Sequence, residues 1–119
     1  MAVRSAVDKS QYGENSEALF LTSSFVQPDS ETAARRFAGE EEGYIYSRFT
    51  NPTVMMFERR LAALEGGRFC ILSPSGLAAI TNVNLGLLRQ GDELLLPANV
   101  YGPSNDMAVN VLSRWGIGH

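Results

Sequence analysis

An α/β fold is what this sequence predicts, and three observations predict it. From residue 69 onward, short apolar runs alternate with helix-length segments, joined by short links. Ahead of them, Val54, Phe57, Leu61 and Leu64 recur at the spacing of one helix face. Breakers separate these stretches: Gly66-Gly67, Pro74-Ser75-Gly76 and Gln90-Gly91-Asp92.

Taken in order, residues 1 to about 43 lack a sustained period. Leu19 to Val26 reads as extended, and Ser30 to Ala38 as a short helix capped by Asp29 or Ser30. Apolar residues without a regular face point to packing against something else, a neighbouring subunit being one candidate. A helix is expected from Asn51 or Pro52, because proline suits the first helical position, where its missing N–H would have no partner. Gly66-Gly67 ends it, glycine accepting the left-handed C-cap. A strand at Phe69 to Ser73, a helix from about Gly76 to Leu88, a strand at Glu93 to Leu96 and a helix from Ser104 to Trp115 follow. Ser104 is the expected N-cap, with Asp106 in the first turn. Two strands make a poor sheet, so the order reads as the start of a larger, roughly parallel layer. The expected division is an arm over residues 1–50 and the beginning of an α/β domain over 51–119.

Composition narrows the classes. At 119 residues, 45% hydrophobic and 19% charged, the chain suits one globular domain. A net charge of −3, with its acid concentrated at Glu40-Glu41-Glu42 and its bases scattered, offers no footprint for nucleic acid. The single cysteine, Cys70, sits in an apolar run and fits a packed thiol in a reducing compartment. No signal-peptide core and no membrane-length segment is visible, so a soluble cytoplasmic protein is expected. No metal-ligand cluster is found, and the only histidine, His119, is the last residue.

Two segments carry candidate chemistry. At Ser75-Gly76-Leu77 a predicted strand turns into a helix whose first N–H groups and positive dipole end favour an anion; Gly76 puts no side chain in the way. The plain alternative is an N-cap and a turn. In Tyr46-Ser47-Arg48, an extended backbone would point the phenol and the guanidinium to one side, where both can bind one phosphate. The alternative there is a surface arginine beside a packed tyrosine. Tyr101 follows the second expected strand, where ligands of open α/β sheets sit and an aromatic can stack on a flat heterocycle.

In sequence order, Tyr46-Ser47-Arg48 with Asn51-Pro52-Thr53, Leu64-Glu65-Gly66-Gly67, Ser75 to Ile80 and Val100-Tyr101-Gly102 give the chain a family likeness. It resembles the N-terminal part of the Cys/Met metabolism (transsulfuration) pyridoxal-phosphate enzymes. Residues 16–67 resemble O-succinylhomoserine sulfhydrylases, and residues 68–115 resemble cystathionine β-lyases. A natural intermediate and a joined chain with its seam near Gly66-Gly67 both account for that division.

The resemblance implies the incomplete start of a fold-type I (aspartate aminotransferase-like) domain and pyridoxal 5'-phosphate as cofactor. It also implies small amino-acid substrates and a homo-oligomer. Tyr46 and Arg48 match residues that reach a neighbouring subunit's cofactor phosphate. Gly76 and Leu77, beside Ser75, match the cradle within the subunit, leucine standing where methionine is more usual. Tyr101 matches the residue that stacks on the ring and assists proton movement. The family also needs a lysine to hold the cofactor aldehyde as a Schiff base, and the only lysine here is Lys9, far from every motif. The expectation is therefore an N-terminal portion that is not catalytically complete alone. The competing expectation is a non-catalytic module, engineered or decayed, that self-associates and binds at most phosphate or the cofactor.

Overall fold

The computed structural model describes residues 8–119, which group into two units, residues 8–71 and 72–119. Two helices organise the first unit. Asp29 starts α1 (Ser30–Phe37), its extended backbone placing the carboxylate to accept the Thr32 N–H at 2.6 Å. Asn51 starts α2 (Pro52–Glu65) by accepting the Thr53 N–H at 2.9 Å, with Pro52 at the first position. Each cap gives a partner to an N–H that the helix itself leaves unpaired. Gly66, at φ 68°, closes α2 in the left-handed conformation that the sequence predicts. The chain around Ser24 meets the chain around Tyr46 in one antiparallel bridge, where Phe25 N–H donates to Ile45 at 3.0 Å and Ser47 N–H donates to Ser23 at 2.9 Å.

In the second unit, α3 (Gly76–Leu87) packs against α4 (Gly102–Asn110), and a 3₁₀ turn follows at Leu112–Trp115. Met107, Leu112 and Ile117 form the buried centre, with Leu88 and Leu94 packed on it. The segment at Glu93 pairs in parallel with Gly118 through one bridge, and Leu94 N–H donates to the Gly118 carbonyl at 2.9 Å. Among the described residues, no helix is long and apolar enough to cross a membrane.

The helices thus match the sequence, and four details do not. The expected strand at Phe69 to Ser73 joins no ladder among the described residues, and the one at Glu93 to Leu96 makes only its single bridge. A parallel strand is held by neighbours on both edges and layers on both faces. Ile71 is 75% exposed and Leu95 is 96% exposed, so neither segment has such cover here. In α2 the apolar stripe is not the buried face: Met56 and Ala62 are buried, whereas Phe57 and Leu64 are exposed. Ser104 is not an N-cap. α4 starts two residues earlier, at Gly102, with Pro103 in its first turn, and Ser104 lies buried inside it. Residues 47–49 form a turn, not an extended run, because Phe49 and Thr50 N–H both return to the Tyr46 carbonyl.

Candidate functional site

The candidate residues fall into two groups, one in each unit. In the first unit the turn at residues 47–49 brings Tyr46, Arg48 and Phe49 together. The Arg48 guanidinium carbon lies 5.6 Å from the Tyr46 ring centre and 4.7 Å from that of Phe49, and the two rings meet edge to face at 6.3 Å. Tyr46 and Arg48 are therefore neighbours through a turn, not through the expected strand alternation. Ring faces attract a cation and restrict where it can point. Among the described residues no carboxylate or carbonyl accepts from Arg48, so its fork keeps its hydrogen-bonding capacity for an outside acceptor. Its neighbour Phe49 is the member that the sequence reading missed. An aromatic directly after the arginine was the available signal.

Behind this turn lies a polar framework. Buried Asn51 donates through Nδ2 to the Phe20 carbonyl at 3.0 Å and to Ser47 Oγ at 2.9 Å. Ser47 Oγ in turn donates to the Thr22 carbonyl, and Thr53 Oγ1 accepts the Phe20 N–H at 2.9 Å. On the other side, Gln27 Nε2 donates to the carbonyls of Phe25 and Tyr44, at 2.8 and 3.0 Å. Its Oε1 accepts from Arg36 at 2.8 Å. The Glu41 carboxylate is gripped by Arg35 and Arg36, and these contacts, the Arg35 hydrogen bond first, hold its pKa below the usual glutamate range. Gly43 leaves room for that clasp, since a Cβ there would run into the Arg36 side chain near its Nε. Within the acidic run, Glu41 is thus tied down by two arginines.

In the second unit, Ser75 caps α3 by accepting the Ala78 N–H at 3.1 Å, and its carbonyl accepts from Ala79. The N–H groups of Gly76 and Leu77 find no acceptor among the described residues, and the Ser75 hydroxyl proton remains available. No acidic residue stands in the first turn, and a Cβ at Gly76 would meet nothing within 4 Å. Open space, donors only and the positive helix end make a set that suits a phosphate dianion. Tyr101 sits just before α4 and is 70% exposed. Lys9, the one candidate for Schiff-base chemistry, is an exposed residue of the first unit.

Comparison with known proteins gives a consistent result. The family model described as Cys/Met metabolism PLP-dependent enzyme matches residues 1–119. An O-succinylhomoserine sulfhydrylase of Pseudomonas aeruginosa is 43% identical over 117 residues, which is 98% of this chain and 29% of that protein. An L-methionine gamma-lyase of Pseudomonas putida is 45% identical over 99 residues, 83% of this chain and 25% of its own length. Among solved structures, a protein of Campylobacter jejuni described as a putative O-acetylhomoserine (thiol)-lyase, with N'-pyridoxyl-lysine-5'-monophosphate, superposes with a TM-score of 0.87 at 31% identity. That match covers 98% of this chain and 29% of the other. The chain thus spans under a third of the length of these relatives.

Proposed function

This chain belongs to the Cys/Met metabolism family of pyridoxal-phosphate-dependent enzymes, and on that premise we propose that it is the N-terminal portion of one acting on carbon–sulfur bonds. The reading favoured is an O-succinylhomoserine sulfhydrylase, in which sulfide replaces the succinyloxy group at the γ-carbon, breaking the carbon–oxygen bond and releasing succinate. The observation that carries the proposal is that both motif segments present hydrogen-bond donors with no carboxylate among them. Bound pyridoxal phosphate withdraws electrons from the substrate's α-carbon.

This chain's residues hold and orient. The Gly76 and Leu77 N–H groups and the Ser75 hydroxyl bind the phosphate of their own subunit's cofactor. Arg48, steadied by Tyr46 and Phe49, donates to the phosphate of a neighbouring subunit, and the Tyr46 hydroxyl adds a second donor. The expected arm, residues 1–50, would therefore serve another copy, so the enzyme is a homo-oligomer. Tyr101 covers the ring and handles a proton beside the substrate. The Schiff-base lysine is supplied from outside these 119 residues, Lys9 lying in the arm. A reducing, cytoplasmic setting suits the lone Cys70, half-buried and unpaired.

The test is an assay of the intact enzyme with three substrate sets. Homocysteine from O-succinylhomoserine and sulfide as the fastest product is the expected outcome. Faster cleavage of methionine would make it a γ-lyase, and pyruvate from cystathionine would make it a β-lyase. Arg48→Ala is expected to weaken cofactor retention roughly 10- to 100-fold, the range of a charge-assisted hydrogen bond worth about 1.5–3 kcal/mol. The uncovered Phe57 and Leu64 of α2 favour a second reading, a self-associating module without catalysis. Concentration-dependent sizing together with cofactor-free turnover controls separates the two.

A further inference from the structure

Asn51 does more in this structure than cap a helix. Its Oδ1 accepts the Thr53 N–H, which is the capping contact. Its Nδ2 makes two further bonds, to the Phe20 carbonyl and to Ser47 Oγ, at 3.0 and 2.9 Å. Both Nδ2 protons and the Oδ1 acceptor are thereby used, and the residue is 6% exposed. Ser47 is the middle residue of Tyr46-Ser47-Arg48. Its Oγ accepts from Asn51 and donates to the Thr22 carbonyl, on the chain that pairs with Tyr46. The amide–hydroxyl–carbonyl relay thus pins Ser47 inward, between α2 and the segment at residues 20–24. With Ser47 held there, its neighbours are turned outward, Tyr46 at 40% exposure and Phe49 at 59%. A serine or aspartate would cap α2 as well as asparagine does. Only an amide of this length accepts from Thr53 while donating to both Phe20 and Ser47.

We infer that Asn51 is a positioning residue for phosphate recognition, acting through Ser47 to fix Tyr46 and Arg48 in their outward arrangement. The inference rests on the reading of Arg48 as a phosphate ligand. Its energetic logic is preorganisation: an arginine already aimed loses little freedom on binding, whereas one on a loose turn must be ordered each time. Neither Asn51 nor Ser47 needs to touch the ligand.

The experiment uses the intact cofactor-loaded enzyme and measures pyridoxal-phosphate affinity by fluorescence, together with amide hydrogen exchange. Three single variants are compared: Arg48→Ala, Asn51→Asp and Ser47→Ala. Asn51→Asp keeps the cap and loses the donor, while Ser47→Ala breaks the relay without any change of charge. Each of the two relay variants is expected to weaken affinity about tenfold, as misplacement of a binding group does. The Ser47 amide, bonded to Ser23, should exchange faster in both, while the amides at the start of α2 stay protected in Asn51→Asp. Because Asn51 acts through Tyr46 and Arg48, the double variant Arg48→Ala/Asn51→Asp should lose clearly less affinity than the product of the two single losses.

Several results overturn the inference. Wild-type affinity in both relay variants, beside a weakened Arg48→Ala, defeats the positioning role and leaves the phosphate reading standing. Loss in Asn51→Asp but not in Ser47→Ala assigns the effect to the new charge. Multiplying losses in the double variant make Asn51 independent of Arg48. Unchanged affinity in Arg48→Ala defeats the phosphate reading itself, and the positioning role falls with it. Should Asn51→Asp fail to fold, Ser47→Ala and its double variant with Arg48→Ala decide the matter alone.

Discussion

The two units present their donors in opposite ways. In residues 8–71 the candidate group is a side chain, Arg48, aimed by other side chains: Asn51 and Ser47 on one flank, Gln27 with Arg36 and Glu41 on the other. In residues 72–119 it is backbone, the first N–H groups of α3, which open onto free space, while the packing of that unit centres on Leu112. A side-chain donor is lost by one substitution and misplaced by several others. A backbone donor survives nearly every substitution at its own position, because the helix geometry supplies it. The first group is therefore open to tuning and vulnerable, and the second is robust so long as α3 starts at Gly76.

The largest expected effect tests the apolar side of that contrast. Leu112 is 1% exposed at the centre of the second unit's cluster. Leu112→Ala removes buried methyl groups and leaves a cavity, so about 2–5 kcal/mol of stability should be lost. Denaturant melts followed by hydrogen exchange would place the loss around α4 and the 3₁₀ turn. A loss below about 1 kcal/mol would mean the cluster collapses onto the gap and does not organise the unit.

The next effect sharpens the backbone claim, which ordinary side-chain deletion cannot reach. Gly76→Pro removes one N–H at the first helical position, where proline is tolerated. Ser75 before it already has φ −158° and ψ 161°, a conformation that a residue preceding proline can keep. Affinity of the intact enzyme for pyridoxal phosphate should fall roughly 10- to 100-fold with helicity unchanged, the scale of one charge-assisted hydrogen bond. Leu77→Met, which leaves every N–H in place, should change it little. Equal affinities in Gly76→Pro and wild type would remove that N–H from the phosphate cradle.

What the sequence made legible follows the same division. α1, α2 and α3 were predictable within a residue or so because their signals are local: Asp29, Asn51-Pro52, Ser75 and Gly66 act on the backbone beside them. The strands were not, because pairing depends on neighbours that sequence spacing does not supply, and Ile71 and Leu95 find none here. The stripe at Val54, Phe57, Leu61 and Leu64 marked a real periodic face, but periodicity does not say what covers it. At the candidate site, the residue types at Tyr46, Arg48, Ser75 and Gly76 were legible as donors. Their support was not. The contacts of Asn51 with Phe20 and of Gln27 with Tyr44 join residues 31 and 17 positions apart, and only the folded chain brings them together.

The smallest expected effect concerns the flank furthest from Arg48. Glu41 accepts from Arg35 at 2.9 Å and from Arg36 at 3.1 Å, while Arg36 also donates to Gln27. Arg35 has a second carboxylate, Glu31, at 3.1 Å, on the exposed side of α1. Because these contacts lower the folded-state pKa of Glu41, its contribution to stability is complete above the unfolded value of about 4.3 and is lost as pH falls through the lower folded value. Glu41→Gln removes that contribution at every pH. The gap between wild type and variant should accordingly be widest near neutrality, close in acid, and narrow with added salt, since the pair is partly exposed. Glu14 and Glu17 are also shifted down, by Ser10 and Arg60 outside the clasp, whereas Asp29 is held down chiefly by Thr32 and least by Arg36, so nearly all of the difference belongs to Glu41. A gap that stays constant from neutral pH into acid would show that the clasp works by shape and hydrogen bonding rather than by charge.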